Sequence, residues 1–293
     1  MTEPGVKTME HEDGTSGGKG ASGAKAARPL ARLMADTAAC LGFYSRLPLP
    51  RGMADGAAPR FATSVRALPI AGAIIGAVGA LVMAAALELG LGTLPAAILA
   101  VAALLAATGA LHEDGLADTA DGLFGGTTPE RRLAIMRDSR IGAFGAAALC
   151  LGLFLRVALI AEIAGRGGMA GVAMAIVAAA AASRTAGLLP LVRLTPARSD
   201  GAAMSVGRPE PAALRFATLL ALLIAAVAGI IGDLALTAIV TGCLAAVVGA
   251  WGITVIARRK IGGHTGDIAG AAQQIAEIAF LLGLLAASAQ VSP

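Results

Sequence analysis

An acidic segment from His112 to Asp121 carries the side chains best suited to chemistry. Three of its carboxylates, Asp114, Asp118 and Asp121, follow the spacing i, i+4 and i+7, which places them on one face of a helix. Like charges on one face destabilise a helix unless a cation binds them. Carboxylate oxygens suit Mg²⁺, which commonly bridges carboxylates to substrate phosphates. The spacing therefore predicts a divalent cation and a diphosphate substrate.

The alternative interpretation of this segment is a solvated acidic loop. Three features favour a site instead: the helical spacing, the interleaved glycines that allow close backbone approach, and a following group of arginines that could neutralise phosphate oxygens. These arginines are Arg131, Arg132, Arg137 and Arg140. His112, at the start of the segment, is either a general base, a hydrogen-bond donor to phosphate or a polar residue at a helix end.

A second polar cluster precedes the last apolar run of the chain. Gly263, Thr265 and Gly266 place backbone N–H groups at a helix N-terminus, which attracts anions. His264 lies within the same cluster. Asp267 is either the N-cap of that helix or a further ligand for metal or substrate.

Three ionisable side chains interrupt apolar stretches elsewhere. Arg184 and Glu277 lie inside predicted membrane helices, where a charge is costly enough to indicate function or mutual pairing. Arg156 lies nearer a helix end, and its long side chain is expected to reach the membrane interface.

The elements that position these residues follow from composition. Of 293 residues, 57% are hydrophobic and only 14% are charged, and the mean hydropathy is +0.77, which excludes a soluble globular enzyme. Runs of roughly 20 uncharged residues are long enough to cross a bilayer as helices. The prediction is an all-α, polytopic integral membrane bundle of about seven transmembrane helices. The predicted spans are Leu68–Leu87, Thr93–Leu111, Ile141–Ala164, Met169–Pro190, Leu214–Gly232, Leu234–Ala257 and Ile268–Ser288.

The chain divides into two regions by composition. Residues 1–30 contain no apolar run and are predicted to be a disordered N-terminal extension without a signal-peptide core. Residues 31–293 form the predicted transmembrane catalytic domain. Its first part, Ala31–Arg51, is mildly amphipathic and ends in prolines, so an interfacial or re-entrant segment is expected there.

The distribution of basic residues predicts the orientation. With the N-terminus in the cytoplasm, 20 of the 23 Lys and Arg residues precede the first span or lie in loops on the cytoplasmic side. The long polar loops then face the cytoplasm as well. We therefore expect a cytoplasmic active site.

The same motifs resemble those of one enzyme family. The stretch from His112 to Leu123, followed by Arg131–Arg132 and by Ile135–Gly145, resembles the signature of the cobalamin synthases, also called adenosylcobinamide-GDP ribazoletransferases. The resemblance runs from about Ala35 to the C-terminus. Other stretches similar to landmarks of that family are Phe43–Pro50, Ser183–Arg184 and Gly263–Asp267.

The resemblance implies a transferase of the bacterial inner membrane that depends on Mg²⁺. Members of the family join adenosylcobinamide-GDP to α-ribazole, giving adenosylcobalamin and GMP, late in cobalamin biosynthesis. α-Ribazole 5′-phosphate can also serve as acceptor and gives the 5′-phosphorylated product. The implied partners are these substrates and the lipid bilayer, with no nucleic acid.

The resemblance also implies roles for individual residues. The expected metal ligands are Asp114, Asp118 and Asp121. The expected catalytic residues are His112 and Asp138, the latter as a base for the attacking hydroxyl or as a further ligand. The expected substrate-binding residues are Arg137, Arg140, Arg184, His264, Thr265 and Asp267.

Two other functions compete with this interpretation. Asp118, Asp121 and Gly122 resemble the opening of the metal motif of CDP-alcohol phosphotransferases, but the continuation expected in that family is absent. A membrane transporter would show internal repeats and charges at the bilayer midplane. The chain has no convincing repeat, and its acidic residues are concentrated in one loop, which favours an enzyme.

Overall fold

The computed structural model describes residues 29–49, 61–198 and 207–288, and the predicted N-terminal extension lies outside these ranges except for its last two residues. Within them every regular element is helical and no strand occurs. The α-helices are α1 Pro29–Tyr44, α2 Phe61–Ser64, α3 Leu68–Glu88, α4 Thr93–Thr108, α5 Leu111–Gly125, α6 Pro129–Ile135, α7 Ala143–Ala186, α8 Leu189–Arg193, α9 Pro211–Ile231, α10 Leu236–Ile261 and α11 Gly266–Ser288.

Among the described residues, five helical segments are long and apolar enough to cross a membrane. They are Phe61–Glu88, Ala143–Arg193, Pro211–Ile231, Leu236–Ile261 and Gly266–Ser288. Counting the bent pair α4 and α5 as one span gives a total of six. The predicted all-α membrane fold is therefore confirmed. Helix α1 is not among the spans, which agrees with the interfacial placement expected for this segment.

The longest helix, α7, turns back on itself at Gly168, whose backbone leaves the helical region with φ 67° and ψ −172°. Arg156 before the break donates to Glu277 at 2.8 Å, and Ser183 after it accepts from Gln273 at 3.0 Å. In a straight helix Arg156 and Ser183 would lie about 40 Å apart, whereas Gln273 and Glu277 are neighbours on one helix turn. The two arms of α7 therefore lie side by side.

Each arm of α7 has about the length of one membrane crossing. The first covers residues 143–167 and the second residues 169–186. Counting these arms separately, together with the bent pair, agrees with the seven predicted spans. The hydropathy pattern predicted the same break, between Ala164 and Met169.

The helix of the predicted span Thr93–Leu111 begins as predicted and ends three residues earlier, at Thr108. Helix α4 ends at Thr108, where Gly109 and Ala110 both adopt left-handed backbone conformations, and α5 leaves at 90°. The two residues satisfy the last carbonyls of α4 by donating to Ala106 and Leu105. Uniform apolar composition hid this break from the hydropathy pattern. Helix α4 thus corresponds to the predicted span, and α5 is a separate helix at 90° to it.

Small residues allow the spans to pack closely. A Cβ atom at Gly72 would lie 2.6 Å from the carbonyl oxygen of Ala180, and one at Gly76 would lie 2.8 Å from the Ala180 Cβ. Helix α3 therefore packs against the second arm of α7 almost backbone to backbone. Such contacts between small residues are typical of membrane helices, which gain stability from close packing.

We predict that Gly72→Ala destabilises the protein whereas Gly252→Ala does not. The new methyl group at Gly72 meets backbone atoms of α7, which should cost about 1–3 kcal/mol. A Cβ atom at Gly252 in α10 would have no neighbouring atom within 4 Å, so alanine there should be neutral or slightly stabilising. Thermal unfolding of the two variants in detergent checks this prediction. Equal midpoints would contradict the close packing of α3 on α7.

Candidate active site

Helix α5 carries the acidic segment and packs directly on the beginning of α11. A Cβ atom at Gly115 would lie 3.0 Å from the backbone oxygen of Asp267, and one at Gly270 would lie 3.5 Å from the Gly115 Cα. The absence of side chains at both glycines permits this approach. It brings Asp114 and Asp118 of α5 to the same place as Asp267, which is about 150 residues away in sequence.

The electrostatics of Asp118 show that these carboxylates form one group. The pKa of Asp118 is raised to about 6, first by burial and then by the negative charges of Asp114, Asp267 and Asp121. Arg198 opposes this shift. The acidic face is therefore short of positive charge, as expected of a cation site.

Asp121 has a structural role that the spacing did not predict. Its carboxylate accepts hydrogen bonds from the backbone N–H groups of Gly142, at 2.7 Å, and Gly145, at 2.8 Å. It thereby holds the N-terminus of α7, whose dipole favours a negative charge. Both glycines are needed, because a Cβ atom at either position would collide with the Asp121 carboxyl group. The predicted metal-binding role of Asp121 stays a prediction.

The donor set fits Mg²⁺ if the substrate completes it. In the described ranges no three His, Cys, Asp or Glu side chains are close enough to hold a metal ion alone. Mg²⁺ usually keeps several waters and binds through one or two carboxylates together with substrate phosphates. Asp114, Asp118 and Asp267 offer hard oxygen ligands of this kind. The arrangement fits an ion bound jointly by the protein and a diphosphate.

A cavity of about 220 Å³ adjoins the carboxylates. One wall is aromatic and aliphatic, and the other contains polar groups. The apolar wall includes Phe43, Tyr44, Phe61, Leu68 and Leu188, and the polar wall includes His112, Asp114, Arg184, Asp267 and Gln273. The structure thus brings four predicted site residues, from three different helices, to one cavity.

His112 is buried at the edge of this cavity. Its ring lies parallel to that of Tyr44, with the ring centroids 5.5 Å apart. Burial, together with the positive charge of Arg184, holds the pKa of His112 well below its ordinary value. The imidazole is therefore neutral, and it can donate from one ring nitrogen and accept at the other.

Arg184 presents a largely unpartnered guanidinium to the cavity. The residue is only 5% exposed, and its Nη1 donates to the carbonyl oxygen of Ala180 at 2.9 Å. Its Nε is buried without a partner. A buried cation with unused donors is suited to bind an anionic ligand. This position agrees with the predicted substrate-binding role.

Arg156 corrects two expectations. It does not reach the membrane interface, because its side chain is only 3% exposed and lies between two carboxylates. Its guanidinium contacts Glu113 at 2.7 Å and Glu277 at 2.8 Å. Glu277 thus pairs with Arg156, and the direct pairing of Glu277 with Arg184 is wrong. The sequence offered no local signal for these bonds, because the partners are 43 and 121 residues from Arg156.

The second polar cluster places Thr265 next to Asp267. Thr265 is the N-cap of α11, since its hydroxyl accepts from the Ile268 N–H at 3.2 Å and contacts the Asp267 carboxylate at 3.2 Å. Asp267 is therefore available as a ligand, and its carboxylate lies 3.9 Å from Nη2 of Arg198. Arg198 was not among the predicted site residues, because it lies in a loop without periodicity.

His264 is held by its backbone next to the same loop. Its N–H donates to Thr195, and its carbonyl oxygen accepts from Ala197. Burial lowers the pKa of the imidazole, and its Nδ1 has no hydrogen-bond partner. His264 lies beside Thr265 and Asp267, but it does not line the cavity.

Arg137, Asp138 and Arg140 do not line the cavity either. Asp138 and Arg140 form an exposed ion pair with an N–O distance of 2.7 Å. Hydrogen bonds from Arg140 hold the pKa of Asp138 at about 2. A carboxylate with so low a pKa is a weak base, and hydrogen bonds from Arg140 also occupy both of the oxygens that a ligand role requires. Both roles stay predictions.

A family model described as cobalamin-5-phosphate synthase matches residues 36–285. The chain belongs to this family. The protein named adenosylcobinamide-GDP ribazoletransferase from Azorhizobium caulinodans is 48% identical over 257 residues, which cover 87% of this chain and 96% of the relative. The proteins of that name from Xanthobacter autotrophicus and Brucella ovis are 49% and 41% identical, and each alignment covers 87% of this chain and 97% or 98% of the relative. No solved structure shows a significant match.

The family match decides between the functions considered from the sequence. It includes every predicted site residue, from His112 to Asp267, and extends from α1 into α11. Neither a CDP-alcohol phosphotransferase nor a transporter appears among the relatives described above. The resemblance on the acidic segment is therefore confirmed over most of the chain.

We predict that Arg156→Leu lowers the free energy of unfolding by roughly 3–5 kcal/mol, because it leaves the carboxylates of Glu113 and Glu277 buried without a cation. Arg166→Leu is the matched control, since Arg166 and Glu162 form an exposed pair worth less than about 1 kcal/mol. Unfolding of both variants in mixed micelles measures the difference. Similar losses in the two variants would contradict the buried pairing.

Proposed function

We propose that this chain joins adenosylcobinamide-GDP to α-ribazole and releases GMP, late in cobalamin biosynthesis. One observation carries the proposal: in a member of the cobalamin-5-phosphate synthase family, the carboxylates of Asp114, Asp118 and Asp267 meet beside a cavity that contains the buried Arg184. Carboxylates for a cation and a guanidinium for phosphate are what phosphoryl transfer across a diphosphate requires.

The reaction exchanges one bond at phosphorus. A ribose hydroxyl oxygen of α-ribazole forms a bond to the phosphorus attached to cobinamide, and the bond from this phosphorus to the bridging oxygen of the diphosphate breaks. GMP leaves with that oxygen, and the hydroxyl proton passes to a base. α-Ribazole 5′-phosphate reacts in the same way and gives the 5′-phosphorylated product.

The protein residues bind and orient the reactants. Asp114, Asp118 and Asp267 hold Mg²⁺, which neutralises charge on the diphosphate when bound. Arg184 donates to phosphate oxygens from inside the cavity. His112 lines the same cavity, and a neutral imidazole has one ring nitrogen that accepts, so it is our candidate for the proton acceptor. Asp121 holds the N-terminus of α7 against α5 and so orients the acidic face.

We place this enzyme in the bacterial inner membrane with its site facing the cytoplasm. In the orientation that the Lys and Arg residues predict, the loop that holds α6 and the start of α11 face the cytoplasm. The acidic face of α5 belongs to the same side.

We predict that the purified protein forms GMP and cobalamin from adenosylcobinamide-GDP and α-ribazole in the presence of Mg²⁺. Chelation with EDTA should abolish both products, and added Mg²⁺ should restore them, because the clustered carboxylates need a cation to bind the diphosphate. Chromatography of the products checks this prediction. Folded protein that forms neither product would overturn the proposed function, and product formation unaffected by EDTA would overturn the metal site.

We predict that Asp118→Asn lowers kcat by about a hundredfold, since it removes a charged ligand while keeping the shape of the side chain. The unfolding midpoint should not fall. The raised pKa of Asp118 means that its negative charge is unfavourable in the folded protein, and asparagine removes this charge. Asp233→Asn, at an exposed turn between α9 and α10, is the matched control and should retain full activity. Near-normal turnover by Asp118→Asn would contradict its assignment.

Asp121→Asn tests a different prediction. An amide has one oxygen in place of two, so it cannot accept from both Gly142 and Gly145 in the same way as the carboxylate. We expect this variant to lose stability as well as activity, in contrast to Asp118→Asn. Unfolding midpoints and kcat measured on both variants separate the two roles. A loss of activity without any loss of stability would indicate that Asp121 acts mainly as a ligand.

A further inference from the structure

The cavity beside the carboxylates has a rigid aromatic wall. The rings of Phe43, Tyr44 and Phe61 pack edge to face, with centroid distances of 4.8 to 6.0 Å. Tyr44 also lies parallel to His112, which continues the wall toward the polar side. Rings fixed in this way offer a ready surface for a planar ligand, because their own freedom is already lost on folding.

The size of the cavity restricts what can enter it. A volume of about 220 Å³ accommodates one heterocyclic base with part of its sugar. It cannot hold a corrin ring, which is much larger than a nucleoside. Three bases of the substrates are small enough: the guanine and the adenine of adenosylcobinamide-GDP and the benzimidazole of α-ribazole. The adenine is carried on the cobalt of the corrin ring, away from the reacting phosphorus, so guanine and benzimidazole remain as occupants of a cavity that ends at the carboxylates.

The polar groups of the cavity do not suit guanine. Gln273 is the amide side chain of the cavity that could hydrogen-bond with the polar edge of a purine. Its amide N–H groups already donate to Ser183 at 3.0 Å and to Glu277 at 2.7 Å. Its oxygen accepts from Gln274 at 3.1 Å. The other charged groups of the cavity, Asp114, Asp267 and Arg184, are assigned above to the cation and the phosphates. Guanine would therefore bury several donors and acceptors without partners, which is strongly unfavourable.

A dimethylbenzimidazole base has the opposite character. Its methyl-bearing edge is apolar and suits the aromatic and aliphatic wall, and its single free ring nitrogen is an acceptor. His112 can donate to that nitrogen. We propose that this cavity binds the base of α-ribazole, with the aromatic rings of Tyr44 and Phe61 as the residues that select it. This inference rests on the proposed function and assigns the acceptor to a defined place.

The position of the cavity agrees with the chemistry. Asp114 and Asp267 line one end of it. A base bound against Tyr44 and Phe61 would direct its ribose toward that end. The attacking hydroxyl would then lie beside the carboxylates that hold the cation and the diphosphate. Only the diphosphate of the donor would have to reach Arg184 and these carboxylates, and its corrin ring would stay outside the cavity.

Kinetics on matched variants test the proposal. Tyr44→Leu and Phe61→Leu should each raise the KM for α-ribazole by about tenfold, the usual effect of losing one aromatic contact with a base. The KM for adenosylcobinamide-GDP should stay unchanged, and Tyr44→Phe should resemble the wild type. Phe154→Leu is the matched control, since Phe154 is 70% exposed on the outer surface of α7. A raised KM for the donor alone would overturn the proposal in favour of guanine.

Direct binding separates this proposal from the proposed reaction. Equilibrium binding of α-ribazole to purified full-length protein, without donor or Mg²⁺, should be detectable for the wild type and for Phe154→Leu and weaker for Phe61→Leu. If the wild type binds α-ribazole but forms no GMP, the proposed reaction fails while the cavity assignment stands. If Phe61→Leu and Tyr44→Leu bind as tightly as the wild type, the cavity assignment fails whatever the enzyme's turnover.

Discussion

The buried contact of Arg156 with Glu113 and Glu277 is the constraint on which the site depends. In the interior of a membrane protein a charge is costly unless a partner of opposite sign and hydrogen bonds compensate it. These three residues come from α7, α5 and α11, which are the helices that carry the candidate site. Each helix can be displaced only by exposing an unpaired charge. The network thus adds a constraint on their relative positions to that of the close packing between the helices.

The position of Glu113 explains how this network orients the chemistry. Successive residues on a helix point about 100° apart, so a Glu113 side chain held inward sets the directions of its neighbours. His112 then faces the aromatic cavity, and Asp114 faces the start of α11. The glycines at positions 115 and 270 remove the side chains that would otherwise separate the two helices. A structural ion pair and a catalytic face therefore occupy adjacent positions of one short helix.

The sequence pattern predicted those features that depend only on neighbouring residues. Uncharged length identified the spans, and the i, i+4, i+7 spacing identified a shared acidic face, because both depend only on helix geometry. The left-handed turn at Gly109 and Ala110 was missed because its residues are as apolar as a continuing helix would be. The partners of Arg156 were missed for a different reason: an isolated charge in an apolar run has the same local pattern whether it is paired or reaches the interface. Arg198 and the aromatic wall likewise come together only in the folded bundle.

The acidic face of α5 raises a problem of repulsion that the fold solves in two ways. At its C-terminal end, two backbone N–H groups at the start of α7 compensate Asp121, and the dipole of that helix adds to the effect. At its N-terminal end Asp267 adds a further negative charge, and Arg198, 3.9 Å from the Asp267 carboxylate, compensates only in part, so the pKa of Asp118 is still raised to about 6. This partly compensated end is also the one that borders the cavity and the buried Arg184. The acidic face of α5 therefore has two parts. The part at Asp121 stabilises the bundle. In the other part a bound cation would relieve the repulsion between the carboxylates, and this is where the reaction requires a cation.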